Sequence, residues 1–202
     1  MTRRALVLAG TGMLRRVARE LAVDGWRVVL PSRRYAPIPA GQPDQHSVRW
    51  ASGNRQMSVG SGKAIWVEAH WDQPGELARK AGLVLDDLGG PADLLVAWLH
   101  EAYRSAVLAA VSPLLADDAP VVEVSAVPES GDAADVAVPP DPFCPERRTQ
   151  QVLLGATSDV SLRRPLGHEE IERGVLDGVR RALDGRPTSV HQLGERRPVA
   201  GY

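Results

Sequence analysis

The 202-residue sequence predicts an α/β domain built on a single doubly wound parallel sheet. Three observations predict it. Apolar runs alternate with amphipathic helical stretches along the chain, the pattern of β-α-β units. The runs are continuously apolar rather than alternating, as in strands covered on both faces. The first run, Ala5-Leu-Val-Leu8, passes directly into Ala9-Gly10-Thr11-Gly12, a glycine turn that opens a helix.

Taken in order, Met13 to Val23 places Leu14, Val17, Ala18, Leu21 and Ala22 on one helical stripe. Asp24-Gly25 ends it, and Trp26 to Leu30 is the second strand. Tyr35 to Gly62 is rich in Pro, Gly, Gln and Ser and shows no helical period. An irregular excursion is therefore expected in place of the second crossover helix, serving as a lid or as packing over the sheet; loops this long are usually functional or disordered. Ala64 to Ala69 is the third strand. Asp72 is expected to cap the helix Gly75 to Leu88, which Gly89-Gly90-Pro91 ends. Ala92 to Trp98 is the fourth strand, Glu101 to Ala116 a helix, and Ala119 to Val124 the fifth strand. Val127 to Arg148 is again irregular and proline-bearing. Thr149 to Leu154 is the sixth strand, Gly167-His-Glu-Glu-Ile171 opens an amphipathic helix, and Ser189 to Leu193 is a short last strand. Right-handed crossovers through these elements give a Rossmann-type sheet, with ligands at the carboxyl ends of the strands.

Length and composition fit one domain over residues 1–202. At this size a core buries about 70% of the unfolded surface, so stability needs no metal or disulfide. The net charge of −1 lacks the basic excess of a general nucleic-acid binder. A small-molecule substrate is the expected partner. No stretch reaches the roughly 18 consecutive apolar residues of a membrane span. The run after Arg3-Arg4 is too short for a signal peptide. Cys144 is the single cysteine, and a cytoplasmic chain is expected.

The glycine turn carries the first chemistry. Dinucleotide binding needs glycine for a tight turn, for close approach to a pyrophosphate and for helix packing. Gly10 and Gly12 are kept, while Ala9 stands at the first glycine position and Arg15 near the last. Thr11, Met13 and Leu14 complete the turn whose amides would meet the pyrophosphate at the positive end of the helix. After the second strand come Pro31-Ser32-Arg33-Arg34 rather than the Asp or Glu that binds ribose hydroxyls in NAD enzymes. Ser32 and Arg33 suit a 2′-phosphate, which a guanidinium holds bidentately, so the expected cofactor is NADP(H). Arg15 either reinforces that site or obstructs it.

The Ala9–Leu14 turn, the strand Asp93-Leu-Leu-Val-Ala-Trp98-Leu-His100, the segment Val152-Leu-Leu-Gly155 and the helix start Gly167–Ile171 together resemble an atypical short-chain dehydrogenase/reductase, among small bacterial members. The resemblance covers nearly the whole chain, with a poor match over Tyr35–Gly62. It implies a Rossmann fold and an NAD(P)(H) site, and homo-oligomers are common in the family, with Glu101–Ala116 and His168–Leu183 as interface helices. It places Trp98 and Gly155 near the cofactor, although Leu154 replaces the family's proline before Gly155. The family's proton-transfer pair, Tyr-x-x-x-Lys, is missing: none of Tyr35, Tyr103 and Tyr202 has a lysine four residues on. Ser125 stands close to the family's catalytic serine, in a register that also admits Ala126. His100 follows the strand end that approaches the cofactor, and an imidazole suits general acid–base work, so His100 or Tyr103 becomes the acid–base candidate.

Other motifs are set aside. Gly60-Ser-Gly62-Lys63 is not a P-loop, since Met57 and Ala64 stand where Gly and Ser or Thr are required. His168-Glu169-Glu170 has no second histidine for zinc, and its acids suit a helix N-terminus. His46, His70 and His191 have no matching partners in sequence, and Cys144 has no base beside it. Trp50, Trp66 and Trp71 either wall a pocket or fill the core. The expected activity is hydride transfer to or from a small carbonyl, imine or alkene, dependent on NADP(H). The alternatives are a non-redox cyclase, isomerase or dehydratase using His100, and a non-catalytic NADP(H)-binding protein.

Overall fold

The computed structural model describes residues 2–36, 38, 54–126, 141–158 and 161–194. Strand β1 (Arg4–Leu8), helix α1 (Arg15–Val23) and strand β2 (Arg27–Ser32) form the opening unit. An antiparallel hairpin follows, β3 (Arg55–Val59) and β4 (Gly62–Glu68), then α2 (Pro74–Asp87). Next come β5 (Leu94–Trp98), α3 (Glu101–Val111) running into a 3₁₀ turn at Ser112–Leu114, and β6 (Val121–Ala126). The chain closes with β7 (Thr149–Leu154), a small hairpin of β8 (Thr157–Ser158) and β9 (Ser161–Pro165), α4 (His168–Leu183) and β10 (Ser189–Leu193).

The main sheet has the order β10-β7-β6-β5-β1-β2-β4-β3. Every neighbouring pair is parallel except β3–β4. This is the doubly wound α/β arrangement that the alternating pattern predicts. The order reverses between β2 and β5, on either side of β1, so the ends of β1 and β5 flank a switch-point crevice.

Alternation along each strand divides the core into two layers. Val7, Leu30, Val122 and Val152 face α1 and α4, meeting Leu14, Val17, Leu21, Val175 and Val179. Leu6, Leu8, Val29 and Ile65 face α2 and α3, meeting Leu77, Val84, Leu85, Val107 and Leu108. Each large side chain buried this way contributes about 1.5–3 kcal/mol. At the opposite, amino end of the sheet, Asp93 accepts both the backbone amide of Arg4 (2.8 Å) and its guanidinium (3.2 Å).

The excursion differs from expectation in one respect. Its described last part is regular: Arg55-Gln-Met57-Ser-Val59 alternates, with Met57 and Val59 buried against the α1 layer. The remainder of the lid reading, with His46 and Trp50, lies outside the described residues. Gly60 has a positive φ (60°) in the two-residue hairpin turn, as a type II′ turn requires at its first position. Gly62 answers to packing: a Cβ there would lie 2.3 Å from the carbonyl oxygen of Trp26 and 2.4 Å from that of Ala22. Asp72 does not cap α2. Gln73 takes the cap position without a side-chain bond, and Pro74 fills the first turn, where its missing N–H costs nothing.

Candidate functional site

The turn after β1 is tight. The amides of Gly12 and Leu14 both donate to the Ala9 carbonyl, at 3.0 and 3.2 Å. Ala9 holds a left-handed backbone, φ 76°, which glycine adopts at no steric cost. Gly10 lets helix and sheet close up, since a Cβ would meet Leu30 Cδ2 at 2.5 Å and Val7 Cγ1 at 3.0 Å. Over Gly12 the space is open; the nearest atom to an added Cβ is the Ala9 oxygen at 3.8 Å. The amides of Thr11 and Met13 meet no acceptor among the described residues. Leu14 plays a different part from the one expected of it. Its side chain is fully buried and its amide is used inside the turn, so it anchors the helix rather than lining a ligand.

Behind the turn stands a group that sequence reasoning missed. The Arg16 amide, in the first turn of α1, donates to Glu172 Oε1 of α4 at 2.9 Å. Glu172 is buried, and His168 Nε2 lies 3.5 Å from the same oxygen. A fixed carboxylate thus already meets the positive end of α1. Arg15 is exposed and donates to the Thr11 carbonyl at 3.3 Å, so it lies along the outer rim of its own turn. Gly12, Arg15, Arg16, Arg19, His168 and Glu172 line an open cleft of about 420 Å³.

At the end of β2 the Ser32 hydroxyl donates to the Arg34 carbonyl (2.8 Å) and accepts the Trp66 indole N–H (3.0 Å). Ser32 is therefore fixed, with its proton committed. Arg33 and Arg34 are exposed. Tyr35 meets Trp66 edge-on, with ring centroids 5.5 Å apart. The guanidinium of Arg55, from β3, lies over the Tyr35 ring at 4.4 Å. Glu68 pairs directly across from Ser32 in the β2–β4 register. Sequence order hid both: the position after β2 lacks an acid, but the neighbouring strand brings one beside it.

At the end of β5, Trp98 is half-buried against the α1–α4 core. His100 caps α3, its Nδ1 accepting the Ala102 amide at 3.2 Å. A neutral ring bonded this way carries its proton on the exposed Nε2. Tyr103 lies 6.3 Å from His100 and 6.5 Å from Trp71, ring centre to ring centre. Trp98 pairs with Val124, and Ser125, the next residue of β6, is still in the sheet, paired with Leu153 of β7. The structure brings His100 and Tyr103 together; no hydrogen bond joins Ser125 to either among the described residues. Below Ser125, buried Glu123 pairs with Arg104 of α3 and accepts the Phe143 amide at 2.9 Å. Gly155 is tied down by its amide, which donates to the Leu193 carbonyl at 2.7 Å.

The remaining singled-out residues serve structure. Glu170 accepts the Gly167 amide and Ser158 and Arg164 at 2.9, 2.6 and 2.6 Å, and these donors hold its carboxyl down to about 2. Burial pushes the Cys144 thiol up and keeps it protonated; its nearest polar neighbour is the Ser112 hydroxyl at 4.0 Å. His191 bonds Ser189 and Gln150. No group of three metal-ligating side chains is found among the described residues. Among them, no helix is long and apolar enough to cross a membrane.

Neither a family model nor a curated protein matches the chain. Solved structures do. The chain is similar to a short-chain dehydrogenase/reductase from Serratia marcescens, with a TM-score of 0.60, 13% identity and 98% of each chain covered. It is similar to a 3-oxoacyl-[acyl-carrier protein] reductase from Brucella melitensis, with a TM-score of 0.55, 14% identity and coverage of 100% of this chain and 99% of that one. An NADH-dependent reductase complexed with NAD aligns with a TM-score of 0.53 and 13% identity, covering 98% and 97%. At these identities the likeness shows the fold.

Proposed function

We propose that this chain is a nicotinamide-dependent oxidoreductase of the short-chain dehydrogenase/reductase type, lacking the Tyr–Lys pair and using NADP(H) on a small carbonyl, imine or activated alkene. The observation that carries the reading is the turn at the switch point. Its Thr11 and Met13 amides meet no acceptor among the described residues, the surface over Gly12 is open, and Arg33 and Arg34 stand at the neighbouring strand end. Those groups fit a dinucleotide's phosphates: amides and the helix end for the pyrophosphate, guanidinium groups for a ribose phosphate. The fit has a cost, because Glu172 already places a negative charge behind the turn.

A bound nicotinamide supplies hydride exchange at its ring. The chain's part is to hold substrate and manage the proton at the substrate oxygen. Nε2–H of His100 and the hydroxyl of Tyr103 both stand at the carboxyl edge, on the side of α3. Trp71 lies beside Tyr103 and puts an apolar ring next to its phenol. Calorimetry with NADP+ and NAD+ tests the cofactor half, with tighter binding of NADP+ expected; equal affinity, or none for either, sinks it. The proton-transfer half is tested by the double variant His100→Ala/Tyr103→Phe. Turnover should fall by about 10²–10⁴-fold with dinucleotide affinity unchanged, and retained turnover removes both residues from the mechanism.

One observation favours a second reading. His100 Nδ1 is occupied as a helix cap, so a full proton relay through the ring would break that cap. A cyclase, isomerase or dehydratase, or a binding protein with no turnover, needs no such relay. Substrate conversion with no change in nicotinamide absorbance would support the non-redox form. A homo-oligomer in the cytoplasm belongs to the main reading, and sedimentation of the purified chain measures its size.

A further inference from the structure

We infer that Arg55, delivered by the β3–β4 hairpin, is the residue that selects the phosphorylated cofactor. The inference rests on the dinucleotide reading and goes beyond it by assigning the choice between NADP(H) and NAD(H) to one side chain.

Direction of travel places Arg55. β3 runs antiparallel to its neighbour, so its first residue, not its last, lies toward the carboxyl edge. Arg55 pairs with Trp66, and Trp66 with Leu30, one turn of the pleat below the Ser32–Glu68 pair. Strand alternation puts Arg55 on the same face as Met57 and Val59, which pack toward α1. Ser32, Tyr35 and Trp66 contact one another on that face. The β3–β4 hairpin thus adds a cation to the end of β2 that the β2 segment itself does not encode.

Three features make this cation suited to a phosphate. Its central carbon lies over the Tyr35 ring, 4.4 Å from the centroid, a contact that restrains the guanidinium without using its N–H donors on a carboxylate. It has no carboxylate partner among the described residues. And the obvious alternative donor is committed, because the Ser32 proton goes to the Arg34 carbonyl. Ser32 is a positioning residue here: it ties Trp66, and through Trp66 the Tyr35 platform, to β2.

Glu68 sets the balance that Arg55 tips. A carboxylate paired across from Ser32 favours ribose hydroxyls and repels a 2′-phosphate. Arg33 and Arg34 are exposed and extend from a loop, whereas Arg55 is half-buried and stacked. Without Arg55 the groups that β2 and β4 themselves bring to this end would be Ser32 and the exposed Glu68, a set that suits the unphosphorylated ribose.

The test is calorimetric titration of the purified chain and its Arg55→Gln and Glu68→Gln variants with NADP+ and NAD+, with circular dichroism confirming that each variant is folded. Arg55→Gln should weaken NADP+ by about ten- to a hundredfold, the worth of a charged hydrogen bond, and leave NAD+ within about threefold. Glu68→Gln should strengthen NADP+ relative to NAD+. Arg55→Lys, which keeps charge but not the planar fork, should fall between wild type and Arg55→Gln. If wild type prefers NADP+ and Arg55→Gln leaves that ratio unchanged, the assignment of Arg55 is wrong and the cofactor reading survives. Wild type binding neither dinucleotide, or preferring NAD+, overturns both together.

Discussion

Ala9 bears a side chain where the backbone has gone left-handed, φ 76°, a conformation that costs an L-residue about 1–2 kcal/mol. Ala9→Gly is expected to stabilise the fold by about 1 kcal/mol, measured as a shift in urea midpoint at constant slope. A result of zero would mean that glycine's added freedom in the unfolded chain cancels the relief. Glu172 works in the other direction. Truncation to alanine removes the acceptor of a part-buried amide and should cost about 1 kcal/mol in the same measurement, with Glu172→Gln costing less because an oxygen remains. The two residues also mark the limit of local pattern. Gly10 was legible because a close approach demands glycine within a few positions of the strand. Glu172 was not, since its partner lies 156 residues away in sequence. The capping role of His100 was equally hidden: spacing places the histidine after the strand, but only the path of the chain decides that Nδ1 turns to Ala102.

Among elements, the hairpin is held by the fit of its first β4 residue. Gly62→Ala drives a Cβ into two backbone carbonyl oxygens, at 2.3 and 2.4 Å, neither of which can rotate away. The expected loss is about 3 kcal/mol, at the upper end for overpacking, read by thermal or urea unfolding. Gly10→Ala meets the movable end of Leu30 instead and should cost less. Strands β1, β2, β4 and β5 could be read directly, because burial on both faces writes an unbroken apolar run. β3 was missed because an edge strand with one buried face writes only alternation, and Met57 and Val59 alone carry it. The start of α2 was displaced from Asp72 to Gln73 because Pro74 fixes the first helical position more firmly than a capping carboxylate does. The β8–β9 hairpin left no signal in Thr157–Pro165 beyond a short β-branched start.

For the whole molecule, His191 and Glu170 are among the groups whose shifts make stability fall on the acid side. Burial and the nearby Arg181 charge lower His191 below its ordinary value. The unfolded chain therefore takes up that proton more readily, and the contribution is complete above about pH 6.5 and is lost as pH drops through the folded value. Glu170, held near 2, contributes fully above its ordinary value of 4.5 and loses that contribution as pH falls toward 2. Melting temperature should decline in two stages below neutrality. His191→Gln should flatten the upper stage and Glu170→Gln the lower; an unchanged profile in either variant would remove that group from the account. The bond between the Arg16 amide and Glu172 has a consequence in time as well as in space. A chain made from its amino end exposes the start of α1 long before residue 172 leaves the ribosome. The β1–α1–β2 unit waits, with that amide facing water, until α4 arrives. It is thus completed by a helix that is made much later, and a nascent chain cut short before α4 lacks the carboxylate that finishes it.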